Sequence, residues 1–166
     1  MSSIIPWIQE AQKHIGLKEF QTGNNPKILQ WAKLIGNPID SDYNADSIPW
    51  CGLFVSYVFS QVGITGVDQP LWAKSWANFG LKLSEPAFGC VIVFSRQGGG
   101  HVGFYLGENS DYYFVLGGNQ SDSVSVTQIA KGRAIAYRWP PNMEKFLKRG
   151  RVKTSVAGAK VSVNEA

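Results

Sequence analysis

The first part of the chain carries its apolar residues at a helical period. Ile4, Ile5, Ile8, Ala11 and Ile15 predict a helix over residues 4–18, ended by Gly16. Glu19 to Pro26 is rich in turn formers and reads as a loop. Ile28, Leu29, Ala32 and Ile35 predict a second helix from Pro26 to Ile35, stopped by Gly36-Asn37-Pro38. A polar loop, Asp40 to Ser47, leads into a run that is apolar nearly all round from Leu53 to Val62 and describes a buried central helix. Pro49 suits its first turn, where a missing N–H would have had no partner. Trp72 to Gly80 predicts a short helix capped by Gly80, with its tryptophans read as packing residues.

After Pro86 the pattern changes. Phe88–Ser95, His101–Gly107, Tyr112–Leu116, Ser123–Ile129 and Arg133–Trp139 are five β-rich runs joined by short polar or glycine-rich connections, which favours antiparallel neighbours. Helices first and strands after predict an α+β fold: N-terminal helices packed on a C-terminal antiparallel sheet of about five strands. Pro140-Pro141 closes the domain, so residues 1–141 are expected to fold together and 142–166 to form a partly disordered tail.

Composition refines this picture. The 166 residues are enough for one domain with a real core. Residues 1–141 hold ten Lys/Arg and ten Asp/Glu, so the whole net charge of +4 comes from 142–166, with six bases and two acids. A basic nucleic-acid-binding face across the fold is therefore not expected; the basic tail reads as a solvated extension, with attraction to an anionic envelope surface as the sharper alternative. No apolar run approaches a membrane span. The N-terminus lacks the basic and apolar regions of a signal peptide, so synthesis in the cytoplasm and delivery by another route are expected. Two cysteines, Cys51 and Cys90, are read as reduced thiols, and the two histidines, His14 and His101, form no zinc-type spacing. No metal or cofactor is expected, and the chain is expected to be monomeric.

Cys51 falls at the start of the buried helix. There the partial positive charge and unpaired N–H groups favour a thiolate and a developing oxyanion. The competing reading is an inert buried thiol. A nucleophilic cysteine needs a base, and the base an orienting partner. His14 sits on the first helix and reads as a surface or packing residue. His101 opens a strand after three glycines, and the alternation puts Gly103 on its face, as if to leave room for substrate. Counting back around the Glu108–Asp111 turn places Asn119 opposite His101, where its carbonyl would accept the imidazole Nδ1–H. Gln120 is the alternate, expected to point to the other face.

The segments Pro49-Trp50-Cys51-Gly52-Leu53-Phe54-Val55, Gly89-Cys90-Val91-Ile92-Val93-Phe94, Gly100-His101-Val102-Gly103-Phe104-Tyr105 and Leu116-Gly117-Gly118-Asn119-Gln120 resemble the CHAP and NlpC/P60 cysteine peptidases. More narrowly, they are similar to phage- and prophage-associated peptidoglycan hydrolases of the endolysin type. The resemblance covers roughly residues 5–141. It implies a papain-like fold with Cys51, His101 and Asn119 as catalytic residues. It implies hydrolysis of a peptidoglycan amide bond, within the stem peptide or between sugar and peptide. By the same likeness Glu19, Trp50, Gln120 and the Asn24-Asn25-Pro26 loop border the substrate groove, and Tyr43 supports the oxyanion site. Delivery to the wall would then use a holin or a secretion system. The rival readings are a thiol acyl or peptide transferase of the same fold and an inactive cell-wall-binding module. Amine competition and thiol alkylation respectively distinguish them.

Overall fold

The computed structural model describes residues 4–19, 25–35 and 50–163. The Asp40–Ser47 loop, Pro49, Asn24 and Tyr43 lie outside them. Helix α1 spans Pro6–Gln12, α2 Pro26–Ile35 and α3 Cys51–Gln61. A 3-10 helix occupies Ala73–Asn78. The strands are β1 (Leu81–Lys82), β2 (Val91–Arg96), β3 (Gly99–Glu108), β4 (Tyr112–Gln120), β5 (Ser123–Ala130), β6 (Ala134–Trp139) and β7 (Lys160–Ser162).

The architecture is α+β, with the helical half first and the sheet second, as the hydrophobic pattern implies. Helix α1 is shorter than its pattern suggests. The chain leaves it in turns, Gly16 adopts φ +100°, and the next residues join the sheet. Gly16 N–H donates to Val124 O at 2.9 Å and Glu19 N–H to Asp122 O at 2.9 Å. Helix α3 is the buried one: every residue from Cys51 to Phe59 except Tyr57 is buried. It packs between α1, α2 and the sheet, with Phe59 against Trp7 (6.0 Å between ring centroids) and against Phe104 of β3 (5.5 Å).

The sheet has seven strands in the order β1-β6-β2-β3-β4-β5-β7, and its β5–β7 pair is parallel. This corrects the expected all-antiparallel set of about five. It also corrects the expected neighbours: β6 pairs with β2 rather than with β5, which precedes it. Only the turn Lys131–Arg133 joins β5 to β6, although β4, β3 and β2 lie between them in the sheet. Four strand spacings of about 4.8 Å would separate them by about 19 Å if flat, whereas four Cα steps reach about 15 Å at most. The sheet is therefore curled. Tyr113 of β4 and Tyr137 of β6 meet across the inside, hydroxyl to hydroxyl at 2.8 Å.

Residues 142–163 do not hang free as the expected tail. Trp139 Nε1 donates to Met143 O at 2.7 Å, and Phe146 packs edge-on to Trp7 at 6.0 Å. Glu108 N–H donates to Val152 O at 2.7 Å, and Thr154 N–H to Glu108 O at 3.0 Å. The buried Glu108 carboxylate explains the anchorage. It accepts from the Tyr105 hydroxyl at 2.7 Å, from Lys131, and from Arg151 Nη1 at 3.1 Å. Burial alone would raise the Glu108 pKa, but these donors hold it below the ordinary carboxylate value. Among the described residues no helix is long and apolar enough to cross a membrane.

Candidate active site

Cys51 is the first residue of α3, with Trp50 as N-cap and no side chain closing the helix end. The first-turn N–H groups are thus available to the sulfur and to whatever lies beyond it. Gly52 is required by packing. A Cβ there would lie 1.7 Å from Pro70 O, so the 70–72 loop is pressed against the helix start.

His101 enters from β3 and is fully buried. Its ring lies nearly parallel to Phe94, its cross-strand neighbour in the register, at 6.3 Å. Burial pushes the Cys51 thiol up, but the charge of His101 and a hydrogen bond to its ring pull the other way. Backbone N–H groups of Val102 and Gly52 also turn to the sulfur, and the net pKa is lowered. The structure therefore brings Cys51 and His101 together as an interacting pair.

The other ring nitrogen identifies the orienting residue. His101 Nε2 lies 2.9 Å from Gln120 Oε1. The Gln120 amide cannot be turned over without loss, because its Nε2 donates to Val115 O at 3.1 Å and to Ser125 O at 2.7 Å. Two carbonyls fix the nitrogen end, so the oxygen end faces the ring and His101 Nε2 carries a proton. The Nδ1 edge is then the one that serves Cys51. This corrects two expectations: the acceptor on the ring is Gln120, not Asn119, and the nitrogen it holds is Nε2, not Nδ1.

The cause is a bulge. The β4–β5 register runs Gly117↔Ser125 and then jumps to Gln120↔Ser123. Asn119 sits in the bulge at φ +57°, a left-handed conformation that Asn tolerates better than most residues. The extra residue resets the strict alternation, and position 120 turns to the face that simple counting gives to 119. The two glycines before it have separate tasks. A Cβ on Gly117 would meet Gln120 Oε1 at 2.7 Å, so its absence lets the Gln120 side chain fold back. A Cβ on Gly118 would meet the Trp50 ring at 2.6 Å and Phe54 Cβ at 2.8 Å, so its absence lets α3 approach the sheet. The local signal for the bulge is Asn119 itself, a residue type that tolerates the left-handed conformation, at the end of the strand.

The remaining candidates divide. Trp50 is fully buried, with its indole N–H donated to Glu19 Oε1 at 2.6 Å, so it offers no surface to a substrate. It packs the helix start against β4. Glu19 is half-buried and holds that indole. Gln120 is buried and engaged with His101, not exposed to a groove. Asn25 caps the start of α2, accepting from Lys27 N–H at 3.0 Å. The space beside Gly103 is not a substrate void. A Cβ there would meet Val115 Cγ1 at 2.6 Å, so β4 fills it. His14 lies 2.8 Å from Glu10 Oε2 and edge-on to Trp31 and Tyr57, a packing role. Cys51 and Cys90 are both free thiols. Among the described residues no group of three or more His, Cys, Asp or Glu is placed to hold a metal ion.

The model of the CHAP domain family matches residues 43–119, the segment that runs from before Cys51 through His101 to the bulge. A solved structure of RipB from Mycobacterium tuberculosis, described as a peptidoglycan hydrolase, is similar to this chain at 21% identity with a TM-score of 0.49. The match covers 80% of this chain and 61% of that one, so this chain spans less than two thirds of RipB's length. No curated protein sequence matches the chain.

Proposed function

We propose that this chain, whose residues 43–119 match the CHAP domain family, is a cysteine hydrolase that cuts an amide bond of bacterial peptidoglycan. The single observation carrying the reading is geometric: a buried thiol at a helix start lies beside the buried His101 ring, and Gln120 holds the far side of that ring at 2.9 Å, an arrangement that lowers the thiol pKa. An inert buried cysteine has no reason to be stabilised as a thiolate. The peptidoglycan substrate comes from the likeness to the CHAP domain family.

In this mechanism the Cys51 proton passes to His101 Nδ1, and the thiolate attacks the amide carbonyl carbon. First-turn N–H groups of α3 stabilise the oxyanion of the tetrahedral intermediate. The C–N bond breaks as His101 protonates the leaving amine, which leaves a thioester on Cys51. Water, deprotonated by His101, attacks the thioester, and the released thiolate and carboxylic acid restore the site. Gln120 accepts from Nε2–H throughout, so the imidazole keeps its tautomer and its aim. The finer setting, an endolysin-type lytic role reached through a holin or a secretion system, belongs to the same proposal and is supported by the segments around Cys51, His101 and Gln120. Muropeptide mass spectrometry after digestion of sacculi tests the reaction. New amine and carboxylate termini are expected from the wild type and none from Cys51→Ala. Products formed equally by Cys51→Ala overturn the assignment.

A further inference from the structure

Five of the six tryptophans are buried or nearly so: Trp7, Trp50, Trp76 and Trp139 are fully covered, and Trp31 is 4% exposed. Trp72 is 74% exposed. A lone exposed apolar side chain is ordinary on a protein surface, so exposure by itself says little. Two further features set Trp72 apart.

The first is rigidity. Trp72 N–H donates to Gln69 O at 3.1 Å, and Trp72 O accepts from Ser75 N–H at 2.9 Å. The Ser75 hydroxyl bridges Gln69 O at 2.6 Å and Trp72 O at 2.7 Å. Trp76 Nε1 donates to Pro70 O at 3.1 Å, which ties the loop to the core. The backbone that presents the indole is fixed in advance of any ligand, which lowers the entropy lost on binding.

The second is position. Two residues before Trp72, the Pro70 carbonyl is pressed onto Gly52, the neighbour of Cys51. Two residues after it, the Lys74 side chain covers Gly100, the neighbour of His101; a Cβ on Gly100 would lie 2.8 Å from Lys74 Cγ. The short segment that carries Trp72 thus meets the residue after Cys51 at one end and the residue before His101 at the other.

We propose that Trp72 is a glycan-stacking platform on the rim of the Cys51–His101 site. It would take the C–H face of an amino-sugar pyranose in the peptidoglycan strand next to the amide being cut. The choice of this sugar as ligand rests on the hydrolase reading; the platform itself rests on the exposure of the indole and on the rigidity and position of the backbone that carries it. A pyranose presents a face of weakly positive C–H groups to the negative face of an indole, while its equatorial hydroxyls stay in water. An exposed indole on a fixed backbone suits that ligand better than an apolar peptide side chain, which would need an enclosed pocket.

The test uses the full chain with Cys51→Ala, so that ligand is not consumed, titrated by calorimetry with two probes. One is the soluble disaccharide–tetrapeptide muropeptide, the other the same tetrapeptide without sugar. Trp72→Ala in this background is expected to weaken muropeptide binding about tenfold, the equivalent of one modest contact, and to leave tetrapeptide binding unchanged. Trp72→Tyr is expected to retain most of the affinity. Equal affinity with and without Trp72, equal loss for both probes, or no muropeptide binding by the Cys51→Ala chain overturns the platform. Digestion by wild-type protein is assayed separately. Absent hydrolysis combined with Trp72-dependent sugar binding removes the hydrolase and keeps the platform; hydrolysis with Trp72-independent binding does the reverse.

Discussion

Cys51 and Cys90 are both buried, both free, and titrate in opposite directions. Burial raises each thiol. At Cys90 it is opposed only by backbone hydrogen bonds at Ala87 and Cys90, and the pKa is pushed up to about 12. At Cys51 the imidazole of His101 adds its charge and a hydrogen bond, the N–H groups of Val102 and Gly52 add theirs, and the sum falls below the ordinary value. Depth alone therefore does not make a cysteine inert or reactive. What decides is whether the elements packed around it bring positive charge and donors to the sulfur. Cys90 lies between a turn and the start of β2, with no histidine beside it; Cys51 lies where a helix start meets the strand of His101.

The largest expected effect is in alkylation. At neutral pH a thiol with a pKa of about 12 is ionised in roughly one molecule in 100,000. Iodoacetamide should therefore modify Cys51 at least about 1,000-fold faster than Cys90 in the folded protein. Peptide mapping gives both rates, and similar rates would erase the contrast between the two sites.

Replacing His101 by Ala removes the charge and the hydrogen bond while leaving the burial. The midpoint of the Cys51 alkylation profile should then move to higher pH, above that of an ordinary cysteine. The sign follows from the balance: desolvation raises, and the imidazole was the main opposing group. Hydrolysis should fall by about 10⁴-fold in the same variant. A midpoint that stays in place would mean that the helix start alone ionises the sulfur.

Gln120 and Asn119 form the next contrast. Gln120→Ala is expected to lower kcat by about 10- to 100-fold with little change in KM, because the base is retained but loses its orientation. Asn119→Gly, which suits φ +57° without a side chain, should keep near-wild-type kcat. The reverse ranking in steady-state kinetics would return the orienting role to Asn119. The smallest effect is reserved for Cys90→Ala. It should leave kcat unchanged and lower stability by about 1–2 kcal/mol in thermal or urea melts, the result of a small core cavity.

Much of this was legible in the residues. The buried central helix, the five main strands and the placement of Cys51 and His101 at element starts follow from periodicity and turn chemistry, which are local properties. The errors share a cause. Counting alternate positions gives Asn119, and one left-handed residue shifts the count. The place of β6 beside β2 depends on curling of the whole sheet, and no pair of neighbouring residues encodes that. The basic C-terminal residues read as solvated because their charge is visible, whereas the buried Glu108 that anchors Arg151 is 43 positions away. Trp72 and Trp76 are the same residue type in one short segment, and only packing separates the exposed one from the covered one.

The amino-acid order by itself determined the main helices and the five main strands, and that a thiol and an imidazole each lie at or near the start of one. Such outcomes depend on interactions within a few residues. Tertiary structure decided which side chain holds the imidazole, which cysteine becomes acidic and which indole meets solvent. Each of these depends on groups far apart in the chain that reach one another only when the curled sheet and α3 close together, where a single bulge or a missing Cβ sets what touches what.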